Sequence, residues 1–454
     1  MTATLNDPYQ VLSKESLFES GWMLSPEPYG LTEAQFEVLN RLGPCLYRFS
    51  HALDKLYKMA QKESDLDWVL KLLDMGKPDA LLNFSRMNRF KSRVPHVIRP
   101  DLLVTEEGFA LCEIDAVPGG IGFITALNTA YQSLGFEVIG QDPAGDFLAM
   151  LLAGESPQPT IAVVVSDEAA DYRLELSYLV DRVKALYPAI YLVHPKQMTL
   201  VQNQLGFLDD AGQFTPIQVI YRFFELFDLP NIPQIELIQY AVKKGLVTCT
   251  PPFKPHLEEK LVLALIHQPR LTPVWETLLF PEDFSLLKGL VPETWILDPA
   301  PVPAHAAVMP PLHFGDKTYW DFTHLEHLSQ KQRELVIKPS GFSPLAWGSR
   351  GVTVGHDVSQ EAWQQTLNAA LDQFHQTPHL LQRFMKPVAE PYRYYHPTSG
   401  EIIQSEGRTR LCPYYFVTGD SVSLAGVLAT TCPKDKKIIH GMKDGVMRAC
   451  RKNY

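Results

Sequence analysis

The sequence predicts a mixed α+β and α/β architecture, and three stretches carry that expectation. Arg99 to Gly122 (RPDLLVTEEGFALCEIDAVPGGIG) reads as a β-hairpin running into a glycine turn. Ile161 to Val193 gives strand, helix and strand in order, the pattern of a small parallel sheet buried on both faces. Leu335 to Gly355 (LVIKPSGFSPLAWGSRGVTVG) ends a strand at Lys338-Pro339 and opens a loop rich in glycine and serine. Four segments follow: a helical flank over 1–95, an acid-bearing part over 96–155, an inserted α/β domain over 156–255, and a part carrying the glycine loop over 256–454.

The totals agree with a sizeable multidomain protein. At 454 residues, 46% hydrophobic and 20% charged, the chain has room for two to four packed units and no long disordered tract. A net charge of −10 argues against a general binder of nucleic acid or anionic membrane. Residues 1–25 have neither a basic start nor a continuous apolar run, so no signal peptide is expected, and no segment is long enough to span a bilayer. The six cysteines are scattered without a C-x-x-C pair, which reads as reduced thiols and a cytoplasmic setting.

In the helical flank, Thr32 with Gln35 forms a capping box ahead of Phe36 and Leu39. Pro44 suits the first turn of a second helix with Leu46, Phe49, Leu53 and Leu56 on one face. Gly76 closes a third, Leu66 to Met75. Between Phe84 and Arg99 lie Arg86, Arg89, Lys91 and Arg93, interleaved with aromatics. In an acidic chain this run suits attraction of phosphate or an acidic substrate better than nucleic-acid binding, and a solvated face explains any one of these charges equally well.

The hairpin carries the chemistry. Side chains alternate across a strand, so Glu113 and Asp115 face one way while Cys112 and Ile114 face the other. Closure through Thr105 to Gly108 brings Asp101 opposite position 112 or 113, with Arg99 beside it. Three carboxylates gathered at one strand end repel one another unless a cation lies between them, and oxygen-only ligands point to magnesium. Pro118 to Gly122 then lets backbone approach an anionic group closely. Taken alone, each feature also reads as a solvated strand end and an ordinary turn.

Beyond the hairpin, Phe123 to Leu134 is expected to be helical and Phe136 to Ile139 a strand. Pro157 to Pro159 reads as a linker, followed by the strand Ile161 to Val165, a helix from Tyr172 to Leu186 and further strands at Ile190–Val193, Val219–Tyr221 and Gly245–Thr250. Glu258, Glu259 and Lys260 open a helical segment, and the proline-rich stretch 299–311 is a loop. His324 and His327, three apart on an expected helix from Asp321 to Glu334, lack a third zinc ligand. Lys338 stands beside a glycine loop that also holds Arg350, yet no G-K-[ST] follows, so this is not a Walker loop. Asp357 caps a helix striped with Trp363, Leu367, Leu371 and Phe374. His379 to Phe384 is a short strand. Gly407–Val417 and Ser421–Thr430 pair through Thr418 to Asp420, and Arg408 and Arg410 share a face.

Arg99-x-Asp101, Glu113-x-Asp115 and Lys338-Pro339 with its glycine loop together resemble the ATP-grasp ligases in circularly permuted order. The likeness is nearest to the synthetase domain of glutathionylspermidine synthase and more distant to eukaryotic glutathione synthetase. That family carries R-x-D and E-x-N with twelve positions from aspartate to glutamate, as between Asp101 and Glu113 here. The resemblance runs from about residue 85 to the end. It implies that Asp101, Glu113 and Asp115 hold magnesium and that Arg99 lies by the transferred phosphoryl group. It also implies that Lys260 and Lys338 are the nucleotide lysines, with the loop glycines Gly341, Gly348 and Gly351 and Ser349 over the phosphates. Gln382, Arg383 and Phe384 correspond to the adenine hinge, and Lys437, before Ile438 to Gly441, to the closing strand. Asp115 replaces the family asparagine, Phe342 stands where some relatives place an acid, and an amidase domain has no counterpart.

The activity so implied is ATP-dependent ligation of a carboxylate to an amine through an acyl phosphate, with ATP and Mg2+ as cofactors and small molecules as the other partners. Tyr221 and Arg222 are candidates for holding a substrate carboxylate, and an equally good reading makes them structural. Two rival functions remain open: a nucleotide-binding protein whose chemistry has decayed, and a phosphoryl transferase that stops before the amine step. Oligomeric state and substrate identity are not encoded in any readable motif.

Overall fold

The computed structural model describes residues 11, 17, 22–155, 157–300, 311–314, 317–346, 350–436, 438–439 and 445–454. Helix α1 (Glu33–Ala60) starts at the Thr32–Gln35 capping box and runs 28 residues. Pro44 lies inside it rather than opening a second helix, so the two expected helices are one. The apolar face overrides the proline: Leu39, Leu42, Leu46, Phe49, Leu53 and Leu56 are all buried, each contributing about 1.5–3 kcal/mol. Two short helices follow, α2 (Asp67–Asp74) and α3 (Asp79–Ser85).

The expected hairpin is present as β1 (Val97–Thr105) and β2 (Gly108–Asp115), joined by a tighter turn than expected, since only Glu106 and Glu107 lie between the strands. Helices α4 (Ile121–Ser133) and α5 (Pro143–Leu152) come next. Residues 136–139 are not a strand; Ile139 N–H nevertheless donates to the Cys450 carbonyl at 2.8 Å, which ties the segment to a sheet edge.

The inserted α/β unit contains β3 (Ile161–Val165), α6 (Arg173–Lys184), β4 (Ile190–Val193), β5 (Val219–Phe223), α7 (Ile235–Lys244) and β6 (Thr248–Thr250). Its four strands pair in parallel in the order β6-β5-β3-β4. Every residue of β3 and β5 is buried, as helices on both faces require. A small three-stranded antiparallel sheet, 198–216, is attached to it.

Helix α8 (Val262–His267) leads to a second antiparallel sheet. Its strands are β7 (Thr294–Ile296), β8 (Leu335–Pro339), β9 (Thr353–Val354) and, after helix α9 (Gln360–Asp372), β10 (His379–Arg383), in the order β7-β10-β8-β9. Ser359, not Asp357, caps α9, because its side chain reaches the Ala362 N–H. His324 and His327 lie on a short 3-10 turn, Phe322–His327, instead of a long helix. The last strands are β11 (Ala389–Tyr395), β12 (Ile402–Thr418), β13 (Ser421–Pro433) and β14 (Val446–Lys452).

These last strands belong to the same sheet as the hairpin: β14, β13, β12, β1 and β2 are consecutive neighbours. Residues 96–155 and the C-terminal segment therefore share one eight-stranded sheet, and α1 packs on it. Tyr415 on β12 donates to the Leu39 carbonyl of α1 at 2.7 Å. The helical region is thus part of the main core and not a flank. Among the described residues no helix is long and apolar enough to cross a membrane.

Candidate active site

The register of β1 on β2 sets the site. Arg99 pairs with Asp115 and Asp101 with Glu113, because a bulge between Asp101 and Leu102 shifts the pairing by one. Of the two expected partners for Asp101, positions 112 and 113, the bulge selects the acid. Arg99, Asp101, Glu113 and Asp115 consequently line one cavity of about 400 Å³.

The carboxylates there are held by protein cations. Arg99 reaches Asp115 Oδ2 at 2.9 Å and Asp101 Oδ1 at 3.1 Å. Arg410, projecting from β12, reaches Asp101 Oδ2 at 2.8 Å, and the Cys412 thiol donates to Asp101 Oδ1 at 3.4 Å. Lys260 lies 2.9 Å from Glu113 Oε1 and also donates to the Ala346 carbonyl. Arg99, Arg410 and Lys260 already offset the repulsion of the three gathered acids, so the acids by themselves do not demand a metal between them. Among the described residues no three His, Cys, Asp or Glu side chains converge as a ready-made metal cage. Burial pushes the Asp101 carboxyl up, but Arg410 and Arg99 outweigh it and hold it below the usual range. Asp115 goes the other way, since burial exceeds what Arg99 returns.

The glycine turn does meet an anion, though the anion belongs to the chain. Glu175, at the start of α6, accepts from Gly120 N–H at 2.5 Å and Gly122 N–H at 2.8 Å, capping α4 across the domain junction. Gly120 has φ +98°, and a Cβ on Gly122 would stand 2.1 Å from the Glu175 carbonyl, so both positions need glycine. Burial raises the Glu175 carboxyl to about 7 against the pull of these N–H donors. The Gly119 carbonyl accepts from Tyr414 at 2.7 Å and Arg99 at 3.2 Å, which fixes the turn beside the acids.

The second sheet reaches the hairpin through Lys338. Lys338 Nζ donates to the Cys112 carbonyl at 3.1 Å, one residue from Glu113, and to Gln382 Oε1 at 2.8 Å. It is not itself among the lining residues, whereas Lys260, Ala346 and Val352 are. Gly341 N–H and Ser340 Oγ each donate to Glu259 at 2.7 Å, and Glu259 forms a fully buried ion pair with Lys77 at 2.7 Å. Glu258 and Glu259 are thus interior groups, and the helical segment expected from them begins at Val262. Gly351 N–H donates to the Leu345 carbonyl at 3.0 Å. Gly348, Ser349 and Lys437 lie outside the described residues. At the expected hinge, the Arg383 and Phe384 N–H groups already donate to the Glu293 and Glu334 carbonyls at 2.9 and 3.0 Å. The Gln382 side chain joins Lys338 to Thr294.

Tyr221 and Arg222 are not among the lining residues. Arg222 is fully buried and donates to Glu258 and to the Pro251, Pro252 and Phe224 carbonyls, so the structural reading accounts for its donors. Of the basic run, only Arg99 enters the cavity: Arg86 is on Asp74 and Arg89 on the Lys243 carbonyl.

Three features of the site escaped sequence reasoning. Arg410 was visible only as one of two arginines on a face. Glu175 is one of two acids on an amphipathic helix. The third is an acidic wall from the α/β unit, where Glu168, Asp171, Glu225 and Asp228 line the cavity without an ion-pair partner among the described residues. Burial, with Glu258 and Asp115 nearby, pushes Glu225 well above the usual range; burial, with Glu168 beside it, raises Asp228 to about 6.

A glutathione synthetase-like effector from Globodera pallida, in its apo form, superposes with a TM-score of 0.58 at 10% identity, covering 99% of this chain and 96% of that one. A candidate γ-glutamylcysteine synthetase from Methylobacillus flagellatus KT gives a TM-score of 0.43 at 10% identity over 84% and 86% of the two chains, a likeness too weak to argue from. No protein-family model and no curated protein sequence matches the chain. The chain therefore shares a glutathione synthetase-like fold.

Proposed function

We propose that this protein is an ATP-dependent carboxylate–amine ligase of the circularly permuted ATP-grasp kind. It forms an amide or peptide bond through an acyl phosphate. The observation that supports the reading best is the charge balance of the cavity, whose lining holds eight carboxylates against three cationic side chains among the described residues. Carboxyl groups that burial holds back from ionising, Glu225 and Asp228 among them, would ionise more readily beside a cation, so the cavity favours cationic occupants, here magnesium carried on a triphosphate and a protonated amine.

The donor set fits magnesium. Asp101, Glu113 and Asp115 offer only hard oxygen atoms, and magnesium in nucleotide sites takes one or two carboxylates with the rest from phosphate and water, so no closed protein cage is needed. Glu113 is the nearest candidate, because among the described residues only its Oε1 is engaged, by Lys260, whereas Asp101 has both oxygens occupied by Arg410, Arg99 and Cys412 and Asp115 has its two on Arg99 and the Val117 N–H. When bound, the metal would neutralise charge developing on the transferred phosphoryl oxygens.

The chain's own residues do the rest. Arg99, in reach of two of the acids, would meet the phosphoryl oxygens; Lys260 adds positive charge at the cavity lining, and Lys338 adds it from just outside the lining, at the Cys112 carbonyl. Lys260 also holds the glycine loop at Ala346, which keeps water from a reactive acyl group. Glu168, Glu225 and Asp228 form the side on which an ammonium group is favoured. Gln382 orients Lys338.

Turnover with ATP, magnesium and pools of amino acids and amines tests this reading. A ligase releases ADP only when both an acid and an amine are present; a phosphoryl transferase needs only one of them, and a decayed nucleotide binder releases none. Phe342, packed under Lys77 where some relatives place an acid, is the feature that favours the decayed reading.

A further inference from the structure

In the parallel unit β4 and β5 pair with β3 on opposite sides, so the winding of the sheet reverses between β3 and β5. The crevice beyond the carboxyl ends of two such strands is where open parallel sheets take ligands. Here the segments leaving both strands line the cavity: Glu168, Asp171, Tyr172 and Leu174 after β3, Glu225 and Asp228 after β5. Two kinds of surface are thus interleaved on the same short stretches of chain. The acids have no ion-pair partner among the described residues. The apolar surface is within reach of a ligand: Leu174 is 49% exposed, and the Tyr172, Phe123 and Trp22 rings that line the same cavity are only partly buried. Trp22 meets Phe123 edge-on at 5.3 Å. Tyr172 packs on Gly119, where a Cβ would stand 2.2 Å from its ring, and the Gly119 carbonyl accepts from Arg99, so this apolar side adjoins the hairpin acids.

Charge and polarity together select the occupant. The acids draw an ammonium group, and an alkyl or aryl tail attached to it covers Leu174 and the rings. A carboxylate on the same molecule would face the acids unaided, because the lining cations among the described residues, Arg99, Arg410 and Lys260, are each paired with a carboxylate of the hairpin. A second ammonium at the far end of the tail would lie on apolar surface. We propose that this crevice takes a primary amine with an apolar tail and no carboxylate; resting on the ligase reading above, this amine is the acceptor substrate. In the ligation its ammonium gives one proton to a carboxylate of the crevice. Its nitrogen then forms the C–N bond as the acyl carbon–oxygen bond breaks, and phosphate leaves with the second proton.

Calorimetric titration of the full chain without nucleotide tests the assignment apart from any ligase activity, using matched pairs of probes. Hexylamine is expected to bind about tenfold or more tightly than methylamine and than 1,6-diaminohexane, and 2-phenylethylamine about tenfold or more tightly than L-phenylalanine. Leu174→Ser, at an exposed position, should cut the preference for hexylamine over methylamine by about threefold, and Asp228→Asn should weaken every amine. Absence of amine binding, equal or tighter binding of 1,6-diaminohexane or L-phenylalanine than of its matched amine, or preferences unchanged in folded Leu174→Ser protein overturns the proposal. Binding in the expected order with no ADP release when ATP, magnesium and acids are added would sustain the crevice as an amine site and overturn the ligase reading alone.

Discussion

Lys260 places its ammonium 2.9 Å from Glu113 Oε1 and donates to the Ala346 carbonyl, so one side chain ties the acid-bearing hairpin to the glycine loop. Its neighbour Glu259 anchors the start of the same loop through Ser340 and Gly341. Two adjacent residues thus hold this segment at its start, Ser340 and Gly341, and at Ala346, which lines the cavity.

Lys260→Met is expected to lower turnover by about 10²- to 10³-fold, through loss of a charge that stabilises the transferred group and release of the loop. Lys260→Arg should restore part of it. Steady-state ADP release with limited proteolysis of the loop checks both consequences; unchanged loop cleavage would remove the tethering role.

Asp101→Ala should damage the fold as well as the chemistry. It leaves Arg99 short of one partner and Arg410 with no carboxylate in a buried setting, at a cost of about 3–5 kcal/mol. Glu113→Gln, at a more open position, should leave thermal stability within about 1 kcal/mol while lowering metal-dependent turnover. Denaturant melts of the two variants beside their activities separate the effects.

Arg222→Met is expected to destabilise the protein by several kcal/mol, about 3–5, because Glu258 and three backbone carbonyls lose their donor in the interior. Raised KM with undiminished stability would instead support a substrate-binding role for Arg222.

Glu175 gives the stability a pH dependence. Its carboxyl, raised to about 7 by burial, keeps its proton in the folded chain where the unfolded chain has lost it. The associated stability is fully present below the ordinary glutamate value and declines as pH rises through about 7, by roughly 3 kcal/mol in all. Glu175→Gln should flatten this decline, as unfolding free energies measured between pH 4.5 and 7.5 would show. An equal slope in the variant would place the titration elsewhere.

The hairpin, the parallel unit and the lysine before the glycine loop were legible because each writes a short-range pattern: alternation, an unbroken apolar run, a strand ended by proline. Pro44 misled because a local breaker was outweighed by packing along 28 residues of α1. The companions of the acids were not legible, since Arg410, Glu175 and Glu225 come from elements hundreds or scores of residues away and write no motif. The Pro-Gly-Gly-Ile-Gly turn was readable as an anion seat, but nothing local said that the anion would be Glu175. Between holding a substrate carboxylate and a structural role, Arg222 could not be decided from sequence, because its partners, Glu258 and the carbonyls of 251 and 252, become neighbours only on folding.

Equilibrium binding of ADP with and without magnesium, measured on the intact chain and on Lys338→Met and Asp115→Asn variants, bears most directly on the claim that the hairpin and the facing sheet close round a metal-bound nucleotide. The account predicts binding that depends on magnesium and weakens at least tenfold, about 1.4 kcal/mol, in either variant. Failure of the folded protein to bind ADP, or binding indifferent to magnesium and to both substitutions, would contradict it.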